Sequence, residues 1–301
     1  MNVIETTGLG KRYRGTWAMR ECTLAVPEGH VVALVGPNGA GKTTLLNMSV
    51  GLTTPTVGRA TVLGGQLAGS AAALDGTAFV AQDAPLYQNL SAADMLHLTR
   101  NVNRRWDQGY AEGRLAELGI PLKKKTGKLS GGQQAQLALT LALARRPRLL
   151  VLDEPLAMLD PLARHDFMAS VMAAAGKGEG EEGGLSVVLS SHALAELERV
   201  ADYLILLSGG RVQVAGEVDD LLACHRVTLR GWHSPPGRWP PSRSVPWPCT
   251  PGSPSRPRCG CASTTWPRWS PATPGRLALA MRPCRSAGGI PGRTASRPAR
   301  P

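Results

Sequence analysis

The chain has 301 residues, with 34 Lys+Arg against 22 Asp+Glu and a net charge of +12. Its apolar fraction of 43% is enough for a packed core and excludes wholesale disorder. No run of about 18 apolar residues occurs, and residues 1–5 lack the basic and apolar stretches of a secretory leader, so neither a spanning helix nor a leader is expected. Six Cys are too few for a disulfide scaffold of this length, and Cys22 and Cys224 suit a reducing cytoplasm.

The first strong element is the apolar, β-branched run at 31–35, short enough to be a buried strand. It ends in Gly36-Pro37-Asn38-Gly39-Ala40-Gly41-Lys42-Thr43-Thr44, after which Leu45, Leu46, Met48 and Val50 follow a helical spacing. Residues 77–81, 149–152, 187–191 and 203–207 also read as buried strands. Helical patterns lie at 93–98, 114–118, 133–144 and 162–175. Alternation of this kind predicts an α/β fold around a mainly parallel sheet. Residues 176–184 (GKGEGEEGG) read as a solvated loop, and Ser208-Gly209-Gly210 reads as a hairpin turn leading to a strand at 211–214.

Patterning stops near Val227. The last 75 residues contain 12 Arg and no Lys, Asp or Glu, which leaves 22 basic and 22 acidic residues before them, so the whole net charge lies in this tail. The tail also holds 16 of the 24 Pro and shows neither strand nor helix periodicity. Two readings of 227–301 stand. One is a disordered basic arm that touches phosphates or anionic lipid. The other is a chain that has left its reading frame, which the abrupt change favours. Cys259, Cys261 and Cys284 lack the paired spacing of a metal site.

Gly36-x-x-x-x-Gly41-Lys42-Thr43 between a strand and a helix is a phosphate loop. Glycines let backbone N–H groups converge on phosphate oxygens, and the helix directs its positive end at the same anion. Lys42 supplies a mobile charge for the β- and γ-phosphates, and Thr43 offers a hydroxyl to Mg²⁺. The strand at 149–152 delivers Asp153 and Glu154 at its carboxyl end, where α/β sheets bind ligands. Asp153 is a candidate Mg²⁺ holder. Glu154 is a candidate to polarise a water for in-line attack.

Leu129-Ser130-Gly131-Gly132-Gln133 resembles the LSGGQ signature of ABC ATPases, with Gln134 where Arg is frequent. Ser130 is also a good N-cap for the helix that follows. The order of the other elements is similar to the same family over residues 2–224. The resemblance implies a RecA-like P-loop core with a smaller helical subdomain at about 84–146. By the same resemblance, Gln82 senses Mg²⁺ and attacking water, and Asp160 is the D-loop aspartate. His192 contacts the γ-phosphate, and Tyr13 stacks on adenine. The segment from Pro37 through Ala40 to Thr44 wraps the phosphates, and Ser130, Gly131, Gly132 and Gln133 reach the nucleotide held by an opposite subunit. It further implies ATP and Mg²⁺ as ligands, a head-to-tail homodimer with two ATP molecules, and a separate membrane permease docking near Gln82 and the helical subdomain. The expected place is the cytoplasmic face of the cell membrane. Residues 81–87 resemble multidrug-type exporters, so export is the expected direction. The rival reading is a soluble ABC ATPase acting on ribosomes or nucleic acid. It is weakened by the presence of one cassette and no long coiled coil, and no specific nucleic acid partner is expected.

Overall fold

The computed structural model describes residues 1–82, 86–176, 184–192, 197 and 199–224. Residues 177–183 of the expected loop at 176–184, the centre of the 81–87 segment and the basic tail lie outside the described residues.

Among the described residues, ten strands form two sheets. β1 (Asn2–Tyr13), β2 (Thr16–Pro27), β4 (Val57–Val62) and β5 (Gln66–Leu67) make an antiparallel sheet in the order β2-β1-β4-β5. The second sheet runs β10-β9-β3-β8-β7-β6, built from β3 (Val31–Val35), β6 (Thr77–Val80), β7 (Leu149–Leu152), β8 (Ser186–Ser191), β9 (Tyr203–Ser208) and β10 (Arg211–Glu217). Its neighbours are parallel except for the β9–β10 hairpin. Gly209 and Gly210 turn that hairpin with φ of 57° and 72°. Two consecutive positive φ values are what a two-residue turn matching strand twist demands.

The helices are α1 (Lys42–Ser49), α2 (Ala71–Gly76), α3 (Ala92–Val102), α4 (Gln108–Glu117), α5 (Gly131–Leu143), α6 (Pro161–Gly176) and α7 (Val218–Cys224). The strands of the parallel sheet match the sequence expectation closely. The helices exist where the spacing placed them, but α4 begins six residues before 114 because Asp107, not an apolar residue, starts it by accepting the Tyr110 N–H. β1, β2, β4 and β5 were not foreseen. Register shifts between Asn2 and Ile4 and again between Thr6 and Leu9 break the period-two pattern that marks a strand.

The parallel sheet is buried on both faces, and its side chains alternate between two cores. Val31, Ala33 and Val35 join the core beneath α3, α4, α5 and α6. Val32 and Leu34 join the core formed with α1 and the antiparallel sheet. Strand alternation thus assigns each residue to one layer, which explains the continuous apolar runs in the sequence. It also brings the carboxyl ends of β3, β6, β7 and β8 to one edge of the sheet. The phosphate loop, Gln82, Asp153–Glu154 and His192 follow those ends directly.

Candidate nucleotide-binding site

The phosphate loop is held by backbone contacts that leave no room for side chains at Gly36 and Gly41. A Cβ on Gly36 would lie 2.5 Å from the Leu207 carbonyl oxygen, and one on Gly41 would lie 3.0 Å from that of Ala18. Gly41 also takes a φ of 102° as the N-cap of α1. The Gly210 N–H donates to the Ala40 carbonyl at 3.2 Å, so the β9–β10 turn braces the loop from behind.

Lys42 is 4% exposed and folds back over the loop, donating to the carbonyl oxygens of Gly36 at 2.8 Å and Pro37 at 3.4 Å. Its Nζ also pairs with Glu154 Oε1 at 3.0 Å. The other carboxylate oxygen, Glu154 Oε2, faces His192 Nδ1 at 3.5 Å. Asp153 is 2% exposed at the end of β7. The Ser190 hydroxyl donates to Asp153 Oδ1 at 2.7 Å and accepts the Glu154 N–H at 2.7 Å.

A cavity of about 470 Å³ opens over this edge. Tyr13, Asn38, Gly39, Gly41, Lys42, Thr43, Thr44, Gln82 and Glu154 line it, together with Ala18. Sequence-predicted residues from four separated segments therefore converge. Ala18 and Ser190 were not foreseen. The only sequence signal for Ser190 is that two hydroxyls close an otherwise apolar strand.

The donor set suits Mg²⁺. Thr43, Gln82 and Asp153 offer a hydroxyl, an amide and a carboxylate, all hard oxygen ligands. No cluster of three or more His, Cys, Asp or Glu that could hold a metal occurs among the described residues.

The signature residues lie elsewhere. Ser130, Gly131, Gly132, Gln133 and Asp160 are not among the described residues lining the cavity. Ser130 caps α5 in a reciprocal box: its Oγ accepts the Gln133 N–H at 3.2 Å, and the Gln133 side chain accepts the Ser130 N–H at 3.2 Å. A Cβ on Gly132 would lie 2.9 Å from Ala163 Cβ, so glycine there permits close packing of α5 on α6. Asp160 starts α6, its Oδ1 accepting the N–H groups of Leu162 and Ala163. Gln134 donates to the Leu129 carbonyl at 3.1 Å and so braces the signature turn from within. A second, apolar groove of about 450 Å³ lies between the end of β6, α3 and α5, lined by Phe79, Leu86, Met95, Ala138 and Leu141 among others.

A phosphate loop, an acidic strand end and a His on one parallel sheet edge define an ATP-binding P-loop protein. The sequence pattern of the ABC transporter family matches residues 19–157. The chain is 31% identical over 241 residues to the Nod factor export ATP-binding protein I of Rhizobium etli, covering 77% of this chain and 74% of that one. It is 34% identical over 226 residues to the Fe(3+) ions import ATP-binding protein FbpC of Pseudomonas fluorescens, covering 72% of this chain and 62% of that one. A solved ATP binding subunit of an ABC transporter superposes with a TM-score of 0.64 at 29% identity, covering 74% of this chain and 92% of that one. The chain belongs to the ABC transporter ATP-binding proteins. It is an ATPase subunit that works with a membrane permease. No helix among the described residues is long and apolar enough to cross a membrane.

Proposed function

We propose that this chain hydrolyses ATP as a homodimer and drives export through its permease at the cytoplasmic face of the cell membrane. The observation that carries the hydrolytic reading is the convergence of Lys42, Thr43, Gln82 and Glu154 on one cavity, while the Ser130 helix tip stands apart from it. In this reading Tyr13 stacks on adenine, and the loop from Gly36 to Thr44 wraps the phosphates with Lys42 on the β- and γ-groups. Thr43, Gln82 and Asp153 hold one Mg²⁺, which when bound neutralises phosphate charge. Glu154 takes a proton from the attacking water, Gln82 orients that water, and His192 contacts the γ-phosphate.

Ser130, Gly131, Gly132, Gln133 and Asp160 serve the nucleotide of the second copy. A cavity that lacks them is half a site, so closure follows ATP, and loss of the γ-phosphate reopens the pair. Residues 1–226 form the ATP-binding domain, with the helical part at about 84–146 facing the permease, and the apolar groove beside Gln82 supports that docking. Residues 227–301 are the basic, Pro-rich tail, read as a disordered arm or a chain out of frame.

Export is supported by the resemblance of residues 81–87 to multidrug-type exporters and by the Nod factor relative. Import relatives of similar identity make direction the point to test. The copurified complex, placed in vesicles with its ATP-binding face outward, separates the two: cargo stimulates hydrolysis from the ATP side in an exporter and from the lumen in an importer. For the site itself, ATP turnover of the wild-type chain is compared with Glu154→Gln. Equal turnover removes Glu154 from its role.

A further inference from the structure

β8 carries apolar residues into the sheet and then closes with Ser190, which is 1% exposed. A hydroxyl at the bottom of a packed sheet edge must find partners, because an unpaired buried hydroxyl is costly. Ser190 uses both capacities of its oxygen on the acidic strand end. It donates to Asp153 Oδ1 and accepts the backbone N–H of Glu154, each at 2.7 Å. The two bonds fix different things. The first sets the rotation of a carboxylate that is 2% exposed. The second holds a residue whose φ is 44°, a left-handed conformation that favours glycine and costs other residues roughly 1–2 kcal/mol. The Asp153 N–H is separately tied to the Val80 carbonyl at 3.0 Å, so the strand end is anchored up to that residue and Ser190 governs the step beyond it.

We infer that Ser190 is a positioning residue for ATP hydrolysis, one hydroxyl that orients the Asp153 carboxylate toward the metal and turns the Glu154 side chain into the cavity. The inference rests on the roles proposed above for Asp153 and Glu154. A hydroxyl that only satisfied a buried carboxylate would need no bond to the next residue's N–H, and that bond falls on the one position of the site with a left-handed backbone outside glycine.

The test uses the full chain as wild type, Ser190→Ala and Glu154→Gln. Steady-state hydrolysis gives kcat and KM for ATP, and a fluorescent non-hydrolysable ATP analogue is titrated once with Mg²⁺ and once in EDTA. Outer-shell partners of a metal site typically contribute about 10–100-fold to metal affinity or activity. Ser190→Ala is therefore expected to lower kcat and the Mg²⁺-dependent gain in analogue affinity by roughly that factor, with KM and the affinity in EDTA close to wild type. Wild-type kcat and Mg²⁺ gain in Ser190→Ala would overturn the inference. So would a loss of affinity in EDTA as large as the loss of kcat, which would make Ser190 a general folding residue. Glu154→Gln separates the layers: if it is inactive while Ser190→Ala is fully active, only the inference fails. If Glu154→Gln turns over ATP normally, the underlying reading of Glu154 fails.

Discussion

Without nucleotide, the phosphate-loop lysine is spoken for, and that arrangement can be weighed. Lys42 and Glu154 lie 3.0 Å apart with side-chain exposures of 4% and 14%. At an effective dielectric of about 20 their gross attraction is roughly 5–6 kcal/mol, most of which offsets the removal of both charges from water. Glu154→Gln removes the charge but keeps a carbonyl that can accept from Lys42. The lysine then retains its bonds to the Gly36 and Pro37 carbonyls. The net loss of nucleotide-free stability is therefore placed at about 1–3 kcal/mol, the range for a hydrogen bond to a charged partner or an undercompensated buried charge.

The same quantity reappears with opposite sign in binding. Lys42 must leave Glu154 before it can reach a phosphate, so a protein without the ion pair starts from a higher free energy and binds more tightly. Converted by the affinity relation, about 1–3 kcal/mol is roughly a 5- to 150-fold lower Kd. The assay is urea unfolding followed by far-UV circular dichroism without nucleotide, paired with titration of a non-hydrolysable ATP analogue in EDTA. Glu21→Gln serves as a control, since Glu21 and its partner Arg211 are 74% and 52% exposed and such pairs contribute about 0–1 kcal/mol. If Glu154→Gln unfolds at the wild-type midpoint and binds with wild-type affinity, the ion pair does not oppose nucleotide binding.

Three further outcomes follow from the geometry. Gly36→Ala forces a Cβ to within 2.5 Å of the Leu207 carbonyl and is expected to lose about 1–3 kcal/mol and most ATP binding. Gly39→Ala meets nothing within 4 Å, bears only its positive φ, and should lose about 1–2 kcal/mol; urea unfolding and analogue titration rank the two. Ser130→Asp keeps an equally good helix cap while adding a negative charge, so its unfolding midpoint should stay near wild type while ATP-induced association in analytical ultracentrifugation disappears. Burial raises the Cys22 thiol above its ordinary value near 9.0 despite the Thr6 contact, so the folded chain keeps this proton longer than the unfolded chain. Stability from that group is present below about pH 9 and is lost as pH rises beyond it, so Cys22→Ala should lose less stability than wild type between pH 8 and 10.5 in paired urea titrations.

What the sequence disclosed divides by the range of the interactions involved. The strand–loop–helix at 31–49 was legible because its signals are local: an apolar run, glycines at fixed offsets, then a helical spacing. The reason Gly36 must be glycine was not legible, since the obstructing carbonyl belongs to Leu207 on a strand far along the chain. Ser190 was invisible for the same cause, because its partners Asp153 and Glu154 become neighbours only when β8 lies beside β7. The β1–β2 hairpin escaped notice for a different reason. Its bulges place Val3 and Ile4 both inside, and no period of two survives that.

Ser130 is the residue at which a bland and a functional reading of sequence coincide, and the structure explains why they need not compete. As a helix cap it uses a lone pair: Oγ accepts the Gln133 N–H, and Gln133 returns the favour to the Ser130 backbone. Its own hydroxyl proton is not consumed by that cap and can be donated outward. A phosphate oxygen needs donors, and the first turn of α5 supplies N–H groups and a dipole of the right sign alongside it. The features that make Ser-Gly-Gly-Gln a good helix start are thus also the ones the proposed phosphate clasp requires. A reading based on capping alone accounts for the local fold but leaves the phosphate cavity of the same chain without these groups. A second copy would bring them, and Ser130→Asp tests this directly because it preserves the cap and reverses only the electrostatics.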